Sequence, residues 1–187
     1  MFQIKPNELY GYDTIIALNP NDSNEESNKL YLKDFLKTES IEEIEVDKKM
    51  IDSLYLLGKV YFDIAEFVKA KNGMIAKIGH AFRTPKRNKE IGGAGASQHM
   101  FCEAIDLHFY KNVKQLDLGR AYTEYNLPLD KREFPQLAEQ IYDALKDKLE
   151  QVVFYDWGIH IGIKTARSKK MLRIANYNKV VNMINRA

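Results

Sequence analysis

The chain has a single cysteine, Cys102, among its 187 residues. An internal disulfide framework is therefore excluded, and folding in a reducing compartment is the simpler expectation. No apolar run approaches the roughly 20 residues that span a bilayer as a helix. The opening segment, MFQIKPNELYGYD, has no basic stretch leading into an apolar one, so a secretory leader is not expected. The net charge is only +2, and no global field points to nucleic acid. Internal repeats are absent. The expectations are synthesis in the cytoplasm, no nucleic-acid partner and no membrane.

What is present is the composition of a soluble globular chain, with 45% hydrophobic and 29% charged residues, and a length that supports one domain with a core. Charge is unevenly placed. Residues 22–47 hold nine carboxylates (Asp22, Glu25, Glu26, Asp34, Glu39, Glu42, Glu43, Glu45, Asp47) against Lys29, Lys33 and Lys37. From Lys164 to Ala187 seven residues are basic and none is acidic. The reading is an acidic N-terminal extension over residues 1–45, a domain over 46–170 and a basic tail over 171–187. The charged ends are either solvated surfaces or contacts with each other or with neighbouring subunits.

Periodicity supplies the elements. Ile15–Leu18 reads as a strand that turns at Asn19-Pro20. Ile51, Leu54, Tyr55, Gly58, Phe62, Ala65 and Val68 repeat at helical spacing over residues 48–70, and Asn72-Gly73 ends that helix. Residues 74–82 and 104–110 read as strands flanking a loop rich in Gly, Pro and Ser. Phe134-Pro135 opens a helix whose apolar face carries Leu137, Ile141, Leu145 and Leu149. Residues 152–156 and 158–164 read as a closing hairpin, and the tail from Met171 as weakly helical. Strands and helices without regular alternation predict an α+β fold: a small antiparallel sheet with flanking helices.

The two late strands place chemistry on one face. In residues 104–110, Ala104, Asp106 and His108 oppose Ile105, Leu107 and Phe109; in residues 158–164, Gly158, His160 and Gly162 oppose three isoleucines. If the apolar sides share a core, Asp106 and His160 share the other side of the sheet. A carboxylate and an imidazole there suit zinc. The flanking glycines suggest open space beside His160, as a catalytic metal requires. His99, seven residues before Asp106, is the nearest third ligand. On residue type alone, each of these also fits a packed or surface side chain.

The run Arg83-Thr-Pro-Lys-Arg-Asn88-Lys-Glu-Ile-Gly92-Gly93-Ala-Gly-Ala-Ser97-Gln98-His99-Met-Phe-Cys-Glu-Ala104-Ile-Asp106 resembles the zinc D-Ala-D-Ala carboxypeptidase family, with its phage peptidoglycan endopeptidases, vancomycin-resistance dipeptidases and Hedgehog-type fold. That family's pattern is an Arg, an Asn five residues on, a Gly-Gly pair, then S-x-H-x-x-G-x-A-x-D, and a late His on a strand. Arg83, Asn88, Gly92, Gly93, Ser97, His99, Ala104 and Asp106 match, and His160 matches the late His. The resemblance implies Zn2+ held by His99, Asp106 and His160. It implies that Arg83 binds a substrate carboxylate or stabilises developing charge. Ser97 is expected at the substrate or bracing the loop. The implied partner is a peptidoglycan stem peptide.

Two departures bear on activity. Cys102 stands at the motif glycine, where packing is the expected role. The acidic residue that serves as base near the last His is replaced, since the positions three before and two after His160 are Trp157 and Gly162. Asp156 is the nearest substitute, His108 a weaker one, and Glu103 points to the opposite face. Two functions follow: a zinc metallopeptidase (a hydrolase of cell-wall stem peptides), or a degenerate peptidase-fold subunit of a phage particle. In the second case the protein ends in a virion.

Overall fold

A computed structural model describes residues 9–11, 13–24, 28–36, 43–45, 48–116, 122–168 and 172–176. The elements in order are β1 (Leu9–Gly11), β2 (Ile15–Leu18), β3 (Lys29–Tyr31), α1 (Leu32–Phe35), β4 (Glu43–Glu45), α2 (Lys48–Asn72), β5 (Met74–His80) and α3 (Pro85–Glu90). A 3-10 turn (Gln98–Phe101) leads to β6 (Ala104–Leu116) and β7 (Tyr122–Pro128). A second 3-10 turn (Lys131–Glu133) leads to α4 (Phe134–Leu145), β8 (Leu149–Phe154), β9 (Ile159–Ile163) and β10 (Leu172–Asn176). The α+β class holds.

The main sheet runs β10-β8-β9-β6-β5, and β7 pairs with the far half of β6. All of its pairings are antiparallel except β10 against β8. The alternation in β6 and β9 does what the sequence predicts. Ile105, Leu107, Phe109, Ile159, Ile161 and Ile163 are buried in one core. Ile105 pairs with Ile161 and Asp106 with His160, so the two polar residues are direct cross-strand neighbours.

Helix α2 covers the apolar face. Of its predicted stripe, Ile51, Leu54, Phe62 and Val68 are buried and Tyr55 and Ala65 partly so, but Leu57, Val60 and Ile64 are completely buried as well, because the helix is enclosed from more than one side. It packs on β5 and β9 and also on β2. Gly73, with φ +62°, ends it in the left-handed conformation that glycine permits.

Three expectations are corrected. Ile16, Leu30, Leu32, Phe35 and Leu36 belong to the same buried cluster as the sheet, so these residues are part of the domain and not of an extension. Leu149 opens β8, because α4 ends at Leu145. The segment after Met171 holds a strand, since the open edge of β8 offers backbone partners that outweigh weak local preference. Much of the acidic segment and the basic tail lies outside the described residues, and so does their proposed contact.

One position tests the enclosure of α2. A Cβ added at Gly58 would lie 2.7 Å from the Cβ of Ala17. In an open helix, Gly→Ala gains about 1 kcal/mol. Here Gly58→Ala should instead cost about 1–3 kcal/mol through overpacking, read from urea unfolding, and Ala17→Gly should restore the loss.

Candidate metal centre

The loop between β5 and β6 is built by the motif residues. Thr84 caps α3 through a bond from the Arg87 backbone N–H, and Pro85 occupies its first turn. Asn88 is buried and closes the loop: its Nδ2 donates to the Ala94 carbonyl at 2.8 Å, and its carbonyl accepts from the Gly93 N–H. Gly92 turns with φ +69°, and a Cβ at Gly93 would fall on the Asn88 side chain. The loop then delivers His99 through the 3-10 turn. Cys102 closes that turn with φ +56°, the left-handed geometry where a glycine carries no strain. Its side chain is buried in the core, which is the packing role expected of it.

Three side chains converge where β6, β9 and the 3-10 turn meet. Asp106 Oδ1 lies 2.8 Å from His160 Nδ1 and 3.4 Å from His99 Nε2, and the two nitrogens are 3.2 Å apart. Donors bound to one tetrahedral ion at about 2.0–2.1 Å sit roughly 3.3 Å from each other. The triangle therefore has the edges of a coordination tetrahedron, and these residues form the group that could hold a metal among the described residues.

The outer partners sharpen the fit. His99 Nδ1 lies 2.5 Å from the Ala81 carbonyl, and His160 Nε2 lies 3.2 Å from Gln151 Oε1. Both oxygens accept, so with a cation in the triangle those ring nitrogens carry the protons. The remaining ring nitrogens then present lone pairs to each other and to a carboxylate oxygen. Without the cation, a proton on His160 Nδ1 takes its place and is donated to Asp106 Oδ1 at 2.8 Å. Each histidine is fixed by a hydrogen bond behind it, as metal-ligating imidazoles ordinarily are.

Electrostatics agree. Burial works against the Asp106 charge, but hydrogen bonds from His160 and His99 outweigh it and hold the carboxyl well below the usual range. Burial lowers His99, against the pull of Asp106. His80 is lowered to about 4, first by burial and then by the Arg83 charge.

The other expected residues are distributed unevenly. Arg83 reaches the cluster: NH2 is 3.9 Å from Asp106 Oδ2, NH1 donates to Asn88 Oδ1 at 3.4 Å, and Nε donates to His80 Nε2 at 2.9 Å. Ser97 precedes the 3-10 turn with no side-chain cap bond. Asp156 sits in the β8–β9 turn with its side chain 86% exposed, 3.6 Å from Lys131. Glu103 is buried and bound by Thr165 and Arg167. The space beside His160 is not open as the glycines suggest. A Cβ at Gly162 would meet the Gln98 side chain, and one at Gly158 would meet the Leu107 carbonyl. These glycines admit neighbours, not substrate.

Sequence reasoning missed His80 and Gln151. Gln151 pairs with Gly162, which puts it on the His160 face, and it is a polar residue beside the apolar pair Val152-Val153. His80 pairs with Asp106 across β5 and β6, a register that no local pattern announces.

The lowered imidazoles give stability a pH dependence. The unfolded chain protonates its histidines near pH 6.5, whereas folding keeps His80 and His99 neutral further down. The unfolded state binds more protons below about 6.5, so stability there rises with pH. Zinc-free protein should unfold at lower urea concentration at pH 5 than at pH 7.5, with loss continuing toward pH 4. Equal midpoints would contradict neutral buried imidazoles. Asp106 works in a lower window, below about pH 4.

The family model described as Peptidase M15 matches residues 33–126, half of the chain. That span contains Arg83, Asn88, His99 and Asp106, and His160 lies beyond it. No curated protein and no solved structure matches. On the family match, joined to a His-Asp-His triangle with the dimensions of a metal site, the chain belongs to the peptidase M15 family.

Proposed function

We propose that the protein is a zinc-dependent peptidase of peptidoglycan stem peptides, cutting at or near a D-alanine bond as a carboxypeptidase or endopeptidase. The observation that carries this reading is the triangle of His99, Asp106 and His160, in which each imidazole is turned by an acceptor behind it. Zinc, when bound, would supply Lewis acidity toward the scissile carbonyl and acidify a water molecule. The chain's own residues must then move the proton to the leaving amine.

Asp156 is poorly placed for that, being solvent-exposed and facing Lys131. His108 is better placed. It stands on the Asp106 face of β6, and its Nδ1 donates to the Trp157 carbonyl at 3.0 Å. That bond sets the tautomer and leaves Nε2 with a lone pair, lying where a Cβ of Gly79 would be. Proton transfer to the leaving group is therefore assigned to His108.

The exposure of Asp156 also favours a second reading, a metal-binding subunit of a phage particle that has lost its carboxylate base. Turnover separates the two. Purified protein supplied with zinc should hold about one ion per chain and hydrolyse a D-Ala-D-Ala stem peptide. His108→Asn should keep the zinc and cut turnover by about 10²-fold or more, while Asp156→Asn should stay close to the parent. A collapse in Asp156→Asn would return the acid/base role to that residue. A zinc-loaded protein inert toward several stem peptides would establish the structural reading.

A further inference from the structure

The metal-site reading above leaves the work of Arg83 open, and the geometry narrows it. The Arg83 side chain is only 14% exposed. Each of its three nitrogens faces a protein partner: Nε faces His80, NH1 faces Asn88 and NH2 faces the outer oxygen of Asp106. A guanidinium is a planar fork, so one strong bond at Nε fixes the direction of the other two nitrogens. His80 makes that bond at 2.9 Å, the shortest of the three contacts. Its ring also sits edge-on to His99, with centroids 5.2 Å apart.

We infer that His80 is a positioning residue: it aims Arg83 at the outer oxygen of Asp106, so that the arginine serves the metal ligand and not the substrate. The inner oxygen, Oδ1, faces both histidines at 2.8 and 3.4 Å. The outer oxygen, Oδ2, faces the guanidinium at 3.9 Å. A positive charge on that side favours the ionised carboxylate and disfavours its rotation to offer both oxygens inward. Asn88 ties the same guanidinium to the loop that carries His99, so ligand orientation and loop closure share one arginine. This departs from the substrate-binding role that the motif resemblance implies for Arg83. It rests on the zinc-site reading, not on peptidase activity.

The test is zinc affinity, measured by competition with a chromophoric chelator, alongside the unfolding midpoint of each zinc-free protein. Removing an outer-shell partner of a metal ligand typically costs 10–100-fold in affinity. His80→Phe and Arg83→Lys should each weaken zinc by about that factor. His80→Gln, whose amide oxygen can also accept from Nε, should bind zinc much as the parent does. If His80→Phe does not fold, Arg83→Lys against His80→Gln decides. The inference is overturned if His80→Phe or Arg83→Lys binds zinc like the parent while KM for a stem peptide rises, which would return Arg83 to the substrate. It is also overturned if His80→Gln weakens zinc as much as His80→Phe. A parent protein that binds no zinc would remove the metal site itself, and this inference with it; an inert parent that binds zinc would leave the inference standing and fail only the peptidase reading.

Discussion

The structure turns on three metal-binding atoms that meet in a buried place. Asp106 Oδ1, His99 Nε2 and His160 Nδ1 lie within 3.4 Å of one another, and the Ala81 carbonyl and the Gln151 amide oxygen engage the opposite ring nitrogens. Atoms so placed need a cation or a shared proton between them, and all three residues are shielded from water. The fold must therefore hold the cluster in place with or without the metal. The hydrogen bonds behind the imidazoles and the large apolar core on the far side of the sheet supply that restraint.

The two faces of the sheet divide this labour. One face buries β6 and β9 isoleucines and leucines beneath α2, and burial of such side chains contributes about 1.5–3 kcal/mol each. That fixes the register, because a slip of one residue would turn Asp106 and His160 into the core. The other face is then free to carry polar groups. His99 comes from outside the sheet, and its placement depends on the loop: Thr84 starts α3, Asn88 ties the chain to Ala94, and Cys102 ends the 3-10 turn in a left-handed conformation. The strain at Cys102, of order 1–2 kcal/mol for a residue with a Cβ, falls where the chain must reverse to enter β6.

Much of this was legible in the sequence because it depends on periods and spacings. The period of two in β6 and β9 reveals the shared face of Asp106 and His160, and the spacing from Arg83 to Asp106 reveals the loop and His99. The helical repeat from Ile51 to Val68 reveals α2. What escaped depends on tertiary register. Gln151 and His80 matter because of which residues lie across from them, and neither has a local signature. The β10 strand is helical or extended by local preference alone, and the edge of β8 decides. Glycines at 158 and 162 suggest open space in the sequence, but a side chain and backbone from elsewhere in the chain fill it. Asp156 is near His160 in sequence, but a hairpin turn sends it to solvent beside Lys131.

The central claim is that His99 and His160 present opposite ring nitrogens to one ion. Long-range proton–nitrogen NMR of the histidine side chains, recorded before and after zinc is added, reads this directly. The account predicts that zinc shifts Nε2 of His99 and Nδ1 of His160, with the proton then on Nδ1 of His99 and on Nε2 of His160. Unchanged imidazole nitrogens, or coordination through the same ring position in both histidines, would contradict it.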